Sequence, residues 1–123
     1  MEFITKFFKS NKAIINVIRM NGVIASGSKF PGSSNLSLEG LEKQIERAFL
    51  GKKIAGVALI INSPGGSPVQ SALISERIIE LSSKNNIPVF AFVEDVAASG
   101  GYWLACAADE IFVMPASIVG SIG

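Results

Sequence analysis

Val57-Ala58-Leu59-Ile60-Ile61-Asn62-Ser63-Pro64-Gly65-Gly66-Ser67, or VALIINSPGGS over residues 57–67, joins an apolar run to a glycine turn and a helix start. Its first five residues have no polar face. A short unbroken apolar run bounded by turn residues predicts a strand covered on both sides, as in a parallel sheet. The run breaks at Asn62–Gly66, and a helix then begins. Ser67 is placed as its N-cap, Pro68 at the first helical position, and Gln70 as the third-position glutamine of a capping box. Ile74, Ile78 and Leu81 follow at helical spacing, and Asn85-Asn86 with Pro88 stops the helix.

The same alternation extends in both directions. Downstream, Val89–Val93 (VFAFV) reads as a strand and Glu94–Gly101 as a turn. Tyr102–Ala108 then reads as an alanine-rich helix ended by Asp109, and Ile111–Met114 as a third covered strand broken by Pro115. Ile118 and Val119 open a further element. Upstream, Ala13–Arg19 (AIINVIR) reads as a strand, Asn21-Gly22 as a turn, and Val23-Ile24 as a second short strand. Ser26–Ser37 reads as a loop. Ser37 caps a helix carrying Leu38, Leu41, Ile45, Ala48 and Phe49, which Gly51 terminates. Strand alternating with helix predicts an α/β fold, a parallel sheet of repeated right-handed strand–helix units. Ligands of such sheets bind beyond the carboxyl ends of the strands. Both SPGGS and AASGG fall there, and neighbouring strands would bring them to one cleft.

Composition narrows the function. The 123 residues fit one domain, and 49% apolar content with 17% charged residues excludes disorder. Mean hydropathy is +0.45. A net charge of +1 gives no field for a nucleic-acid backbone or an anionic membrane. The absence of histidine excludes a Ser-His-Asp triad, a Cys-His dyad and histidine-ligated metal within this chain. A single cysteine, Cys106, excludes an internal disulfide and a multi-cysteine zinc site; inside an alanine-rich helix it reads as a buried small hydrophobe. No metal and no cofactor is expected. Residues 1–12 read as an N-terminal cap segment, with neither a signal peptide nor a transmembrane run. Phe3, Phe7 and Phe8 with Lys6, Lys9 and Lys12 have the pattern of a short amphipathic helix able to touch a membrane surface. The preferred reading is a cap packed on its own domain or a neighbouring subunit.

The two turns carry the chemistry. Gly65 and Gly66 let a ligand approach their backbone N–H groups, and a helix start behind them favours a negative oxygen. Ser99 lies between Ala98 and Gly100, small neighbours that leave its hydroxyl accessible, and the Gly100 N–H points where a helix begins. A serine hydroxyl beside two converging N–H donors is an acyl-transfer site in outline. A Cβ at Gly66 is expected to block substrate or shift the donor far more than it weakens folding. Taken singly, each piece has a plainer reading. NSPGGS is a turn with a helix cap, and phosphate-binding GxxxxGK[ST] and GxGxxG are both missing. AASGG is tight helix–strand packing with Ser99 as N-cap. Glu94 and Asp95 read as solvated acids, and Tyr102 and Trp103 as core or subunit-contact residues.

NSPGGS, the 35-residue step from Pro64 to Ser99, and then ASGGYW, AADEIF and GSIG together resemble the signal peptide peptidase A (protease IV) family of serine peptidases. The resemblance covers nearly the whole chain and implies the fold shared by Clp proteases and crotonases. It implies that Ser99 is the nucleophile and that the N–H groups of Gly66 and Gly100 form the oxyanion hole. It also implies hydrophobic peptide substrates such as signal-peptide remnants, a Ser-Lys dyad, a homo-oligomer, and a location in the cytoplasm or peripheral to the inner membrane.

Two features depart from that pattern. Most family members carry an N-terminal membrane anchor, which this sequence lacks. In the single-domain members of the family the lysine follows the serine by several tens of residues, whereas this chain continues 24 residues past Ser99 and has no lysine after Lys84. Lys52, Lys53 and Lys84 precede strands and so belong to the wrong end of the sheet. Lys29 lies in a loop long enough to reach the right side, without a motif to support it. Residues 13–123 therefore read as a peptidase domain incomplete at its C-terminus. The rival readings are a catalytically dead remnant or assembly subunit, and a crotonase-type acyl-CoA enzyme.

Overall fold

The computed structural model describes residues 12–27 and 35–120. The N-terminal segment 1–11, Lys29 and the end of GSIG lie outside the described residues. Among the described residues five parallel strands form one sheet: β1 (Ile14–Asn21), β2 (Ile54–Ser63), β3 (Val89–Ala98), β4 (Glu110–Val113) and β5 (Ile118–Gly120). Their order is β1-β2-β3-β4, with β5 pairing β3 further along the edge that β4 occupies first. Among the same residues three helices connect them: α1 (Leu38–Ala48), α2 (Pro68–Asn85) and α3 (Gly100–Ala105). The α/β class and parallel sheet read from the sequence are those of the structure.

The helix signals act locally as their chemistry requires. The Ser37 hydroxyl accepts from the Gly40 N–H at 3.1 Å, and the Ser67 hydroxyl from the Gln70 N–H at 3.2 Å. Asn86 ends α2 in the left-handed conformation, at φ 53°. The reciprocal half of the capping box is not made. Gln70 Oε1 accepts instead from the Leu38 N–H at 2.9 Å, because the Ser67 N–H already donates to the Ile24 carbonyl. One glutamine thus ties the starts of α1 and α2 together. Further along, Arg77 on α2 bonds Glu46 on α1 at 2.9 Å, and that bond holds the guanidinium above its ordinary pKa.

Coverage on both faces is corrected by the topology. Each crossover moves the chain in the same direction along the sheet, and right-handed crossovers of that kind place every helix on one face. Accordingly α1 packs on α2 and α2 on α3. The helix-facing residues Ile18, Leu59, Ile61 and Val89 are fully buried, each contributing about 1.5–3 kcal/mol. The opposite face has no helix among the described residues. Ile15, Val17, Phe92 and Phe112 are 51%, 53%, 40% and 47% exposed there, and the last two rings stack at 5.1 Å. The Ile111–Met114 run is likewise exposed rather than covered. A bare apolar sheet face of this kind seeks a surface. The purified 13.0 kDa chain should therefore scatter light as a self-associated species, and Val17→Lys with Phe112→Lys should reduce its apparent mass.

Two boundaries also differ. The segment expected as a turn from Glu94 continues as β3 to Ala98, so the turn shrinks to Ser99. The helix expected over Tyr102–Ala108 occupies Gly100–Ala105. Its start moves back because two glycines allow close packing where the Tyr102 and Trp103 side chains do not. A methyl on Gly101 would press into the Ser63 backbone of β2, and one on Gly100 into the Ser71 hydroxyl of α2.

Candidate active site

Ser99 stands between the end of β3 and the start of α3 with φ 52° and ψ −119°. Non-glycine residues rarely take such a conformation, which costs on the order of 1–3 kcal/mol and persists only where its surroundings enforce it. They do so here. The Ser99 N–H donates to the Gly120 carbonyl at 2.8 Å, and its carbonyl accepts from the Trp103 N–H at 3.1 Å. The side chain is thrown outward and is exposed. It makes no capping bond to α3, which corrects the N-cap reading of AASGG. An N-cap needs extended backbone to turn its oxygen back over the helix, and a positive φ turns it away. A strained strand-to-helix turn presenting a serine is the geometry of a nucleophile elbow.

The second turn lies against the first. β2 and β3 are adjacent, and a methyl on Gly65 would stand 2.9 Å from the Ala98 carbonyl oxygen and the Ser99 Cβ, and 3.0 Å from the Gly100 nitrogen. Ile24 holds the other side. Its N–H donates to the Gly65 carbonyl at 2.9 Å, and its carbonyl accepts from the Ser67 N–H at 2.7 Å. In extended backbone, groups one residue apart point in opposite directions, so the Gly66 N–H points away from Ile24. Neither it nor the Gly100 N–H donates a hydrogen bond among the described residues. An exposed hydroxyl beside two uncommitted backbone donors is equipment for acyl transfer. Gly66 itself has φ 145°, and a Cβ on it would collide with the Ile24 carbonyl. The expectation that this Cβ would chiefly block substrate is corrected, because the side-chain position is filled by backbone.

Lys52, Lys53 and Lys84 do not complete the site. Lys52 and Lys53 lie just before β2, where the Lys53 carbonyl accepts from the Ile14 N–H at the start of β1, and Lys84 lies in the last turn of α2. These positions are at the opposite end of the sheet from Ser99. Cys106 is exposed rather than buried, since it follows the last residue of the shortened α3. Its side chain hydrogen-bonds Tyr102 and holds that phenol above the ordinary tyrosine pKa. Trp103 is 40% exposed and Tyr102 half-buried. Glu94 and Asp95 are exposed, as expected, although Glu94 lies 3.7 Å from Arg19 and Asp95 accepts from Asn62.

A cavity of about 590 Å³ opens on the bare sheet face between Arg19, Phe92, Glu94 and Met114; none of Gly65, Gly66, Ser99 and Gly100 lines it. Sequence reasoning missed Ile24, whose backbone braces the glycine turn, and Asn62 and Ser117, which hold the end of β3. Asn62 at the head of NSPGGS was the one available signal.

Comparison with known proteins follows the same residues. Residues 82–123, which include the Ser99 turn, match peptidase family S49. A protein of Brucella melitensis named Na(+)/H(+) antiporter NhaA is 49% identical over 123 residues, covering 98% of this chain and 16% of that protein. The shared sixth carries no antiporter-like span here: among the described residues no helix is long and apolar enough to cross a membrane. A putative signal peptide peptidase SppA of Enterococcus faecium is 35% identical over 120 residues, covering 93% of this chain and 33% of its own. The chain thus spans a third or less of these two relatives. In fold it matches a mutant of the 1510-N membrane-bound stomatin-specific protease with a TM-score of 0.66, at 22% identity, over 86% of this chain and 46% of that one. With the strained Ser99 turn inside the matched segment and SPGG packed against it, residues 82–123 form a segment of the peptidase family S49 type, and the chain is similar over nearly its whole length to serine peptidases of that family.

Proposed function

We propose that this chain supplies the nucleophile and oxyanion hole of a serine endopeptidase acting on hydrophobic peptides, signal-peptide remnants among them. The observation that carries the reading is Ser99, held at φ 52° with its hydroxyl exposed and the Gly65-Gly66 turn packed against it. Ser99 Oγ attacks the scissile carbonyl, and the Gly66 and Gly100 N–H groups receive the negative charge that develops on oxygen. A neutral lysine takes the serine proton and returns it to the leaving amine. That lysine must be desolvated, because a free one, with a pKa of about 10.4, stays protonated at neutral pH. It lies outside the described residues. In this reading residues 13–123 form the front of the peptidase domain, which works as a homo-oligomer in the cytoplasm or at the inner-membrane surface, without a cofactor.

Lys52, Lys53 and Lys84, at the far end of the sheet, favour a second reading, a subunit that keeps the fold and has lost turnover. A fluorophosphonate probe with peptide mapping separates the two. In the natural full-length protein the probe should label Ser99, and peptide hydrolysis should fall in step with labelling. A full-length protein that neither labels nor cleaves is the assembly subunit. The crotonase-type alternative leaves the strained serine without a purpose.

A further inference from the structure

We propose that Asn62 and Ser117 are positioning residues that set Ser99 opposite the glycine turn, by clamping a bulge in β3. The proposal rests on the reading of Ser99 as nucleophile. Ile61 pairs with Val93, but Ser63 pairs with Ala97, so Asn62 alone faces Glu94, Asp95 and Val96. β3 therefore carries two residues more than β2 at this point. An even insertion preserves the alternation of faces, and Val93 and Ala97 both remain buried against the helices. It also fixes where the strand ends. With the earlier offset continued, Ala97 would stand level with Gly65, and Ser99 would lie two residues, about 7 Å, beyond it. With the bulge, Ser99 is level with Gly65, and a methyl on Gly65 would touch the Ser99 Cβ.

A bulge leaves ladder groups without their usual partners, and two side chains take them up. Asn62 Oδ1 accepts from the Val96 N–H at 3.2 Å, while its Nδ2 donates to Asp95 Oδ2 at 3.4 Å. From the other edge, Ser117 Oγ donates to the Glu94 carbonyl at 2.5 Å and accepts from the Met114 N–H at 3.1 Å. The clamp sits where β3 leaves β4, after Val93 and Val113, and takes up β5 at Val96 and Ile118. From there three residues lead to Ser99.

The test measures fluorophosphonate labelling of Ser99 in the natural full-length protein, with thermal unfolding followed on the same samples. Asn62→Ala should slow labelling at least tenfold at temperatures where the protein is fully folded. Ser117→Ala should act in the same direction. Asn62→Asp keeps the acceptor for Val96 but sets a carboxylate against Asp95, and should also label slowly. Adding Asp95→Asn restores the pair with donor and acceptor exchanged, and should bring labelling back to within threefold of the parent. A purely structural role would lower the melting temperature and leave the folded protein labelling at the parent rate; that result overturns the proposal. So does a folded Asn62→Asp/Asp95→Asn protein that stays slow, which keeps the test decisive if Asn62→Ala does not fold. Ser99→Ala is the control: labelling that survives it refutes the nucleophile reading itself, whereas labelling abolished by it but indifferent to Asn62 refutes only the clamp.

Discussion

Ser99→Ala in the natural full-length protein should lower kcat for peptide hydrolysis by about 10⁶-fold while leaving the fold intact. A loss of that order follows removal of the attacking hydroxyl from a serine peptidase, because the oxyanion donors alone retain only a residue of the rate. The structure predicts little effect on stability. Ser99 makes no capping bond, and its side chain is exposed, so the change should stay within about 0.5 kcal/mol in urea denaturation. Ser99→Gly sharpens the result. Glycine takes a φ of 52° without strain, and relief of about 1–3 kcal/mol is opposed by about 0.4–1 kcal/mol of added freedom in the unfolded chain. The inactive glycine variant should therefore be as stable as the parent or more so. Hydrolysis at the parent rate by either variant would remove Ser99 from the chemistry.

Gly66→Val should abolish folding before it reports on catalysis. The valine would have to hold φ 145°, and its Cβ would drive into the Ile24 carbonyl, the acceptor for the Ser67 N–H. Losing that bridge and straining the backbone together should cost several kcal/mol, a large share of a typical domain's about 5–15 kcal/mol. The donor role needs a change that adds no atom. Replacing the Gly66 peptide N–H by an ester oxygen through semisynthesis leaves the Ser67 bond to Ile24 untouched and keeps the Gly65 bond on an ester carbonyl, a weaker acceptor. That protein should fold with a melting temperature within a few degrees of the parent and lose about 10²–10³ in kcat, the usual effect of one missing oxyanion donor. An ester protein with normal kcat would show that Gly66 serves the fold alone.

Much of this arrangement was written locally and could be read locally. VALII and VFAFV have no polar side, and Ser37, Ser67 and Asn86 cap or stop their helices through bonds to residues at most four away. Such signals survive in any tertiary context, which is why the α/β class, the helix starts and the two turns were legible. SPGG and ASGG were legible for a related reason. Both are places where backbone must approach backbone, and glycine is the residue type that permits it.

Other features depend on which elements become neighbours, and a linear pattern does not contain that. A strand buried on both faces and one buried among its flanking strands look alike as apolar runs; only the order β1-β2-β3-β4, with every crossover stepping the same way, left one face without a helix among the described residues. Gln70 has the spacing of a capping box, yet the arrival of Ile24 at the Ser67 N–H turned it toward α1. The bulge of β3 is invisible in VFAFVEDVAAS, because its cause is the offset against β2 and its partners are Asn62 and Ser117, 34 residues before Val96 and 23 after Glu94. Strands, caps and the small residues of the site are thus set by short stretches of the chain. Tertiary structure decided which face is bare and how far along its strand the serine turns, because both follow from register and packing between segments distant in the chain.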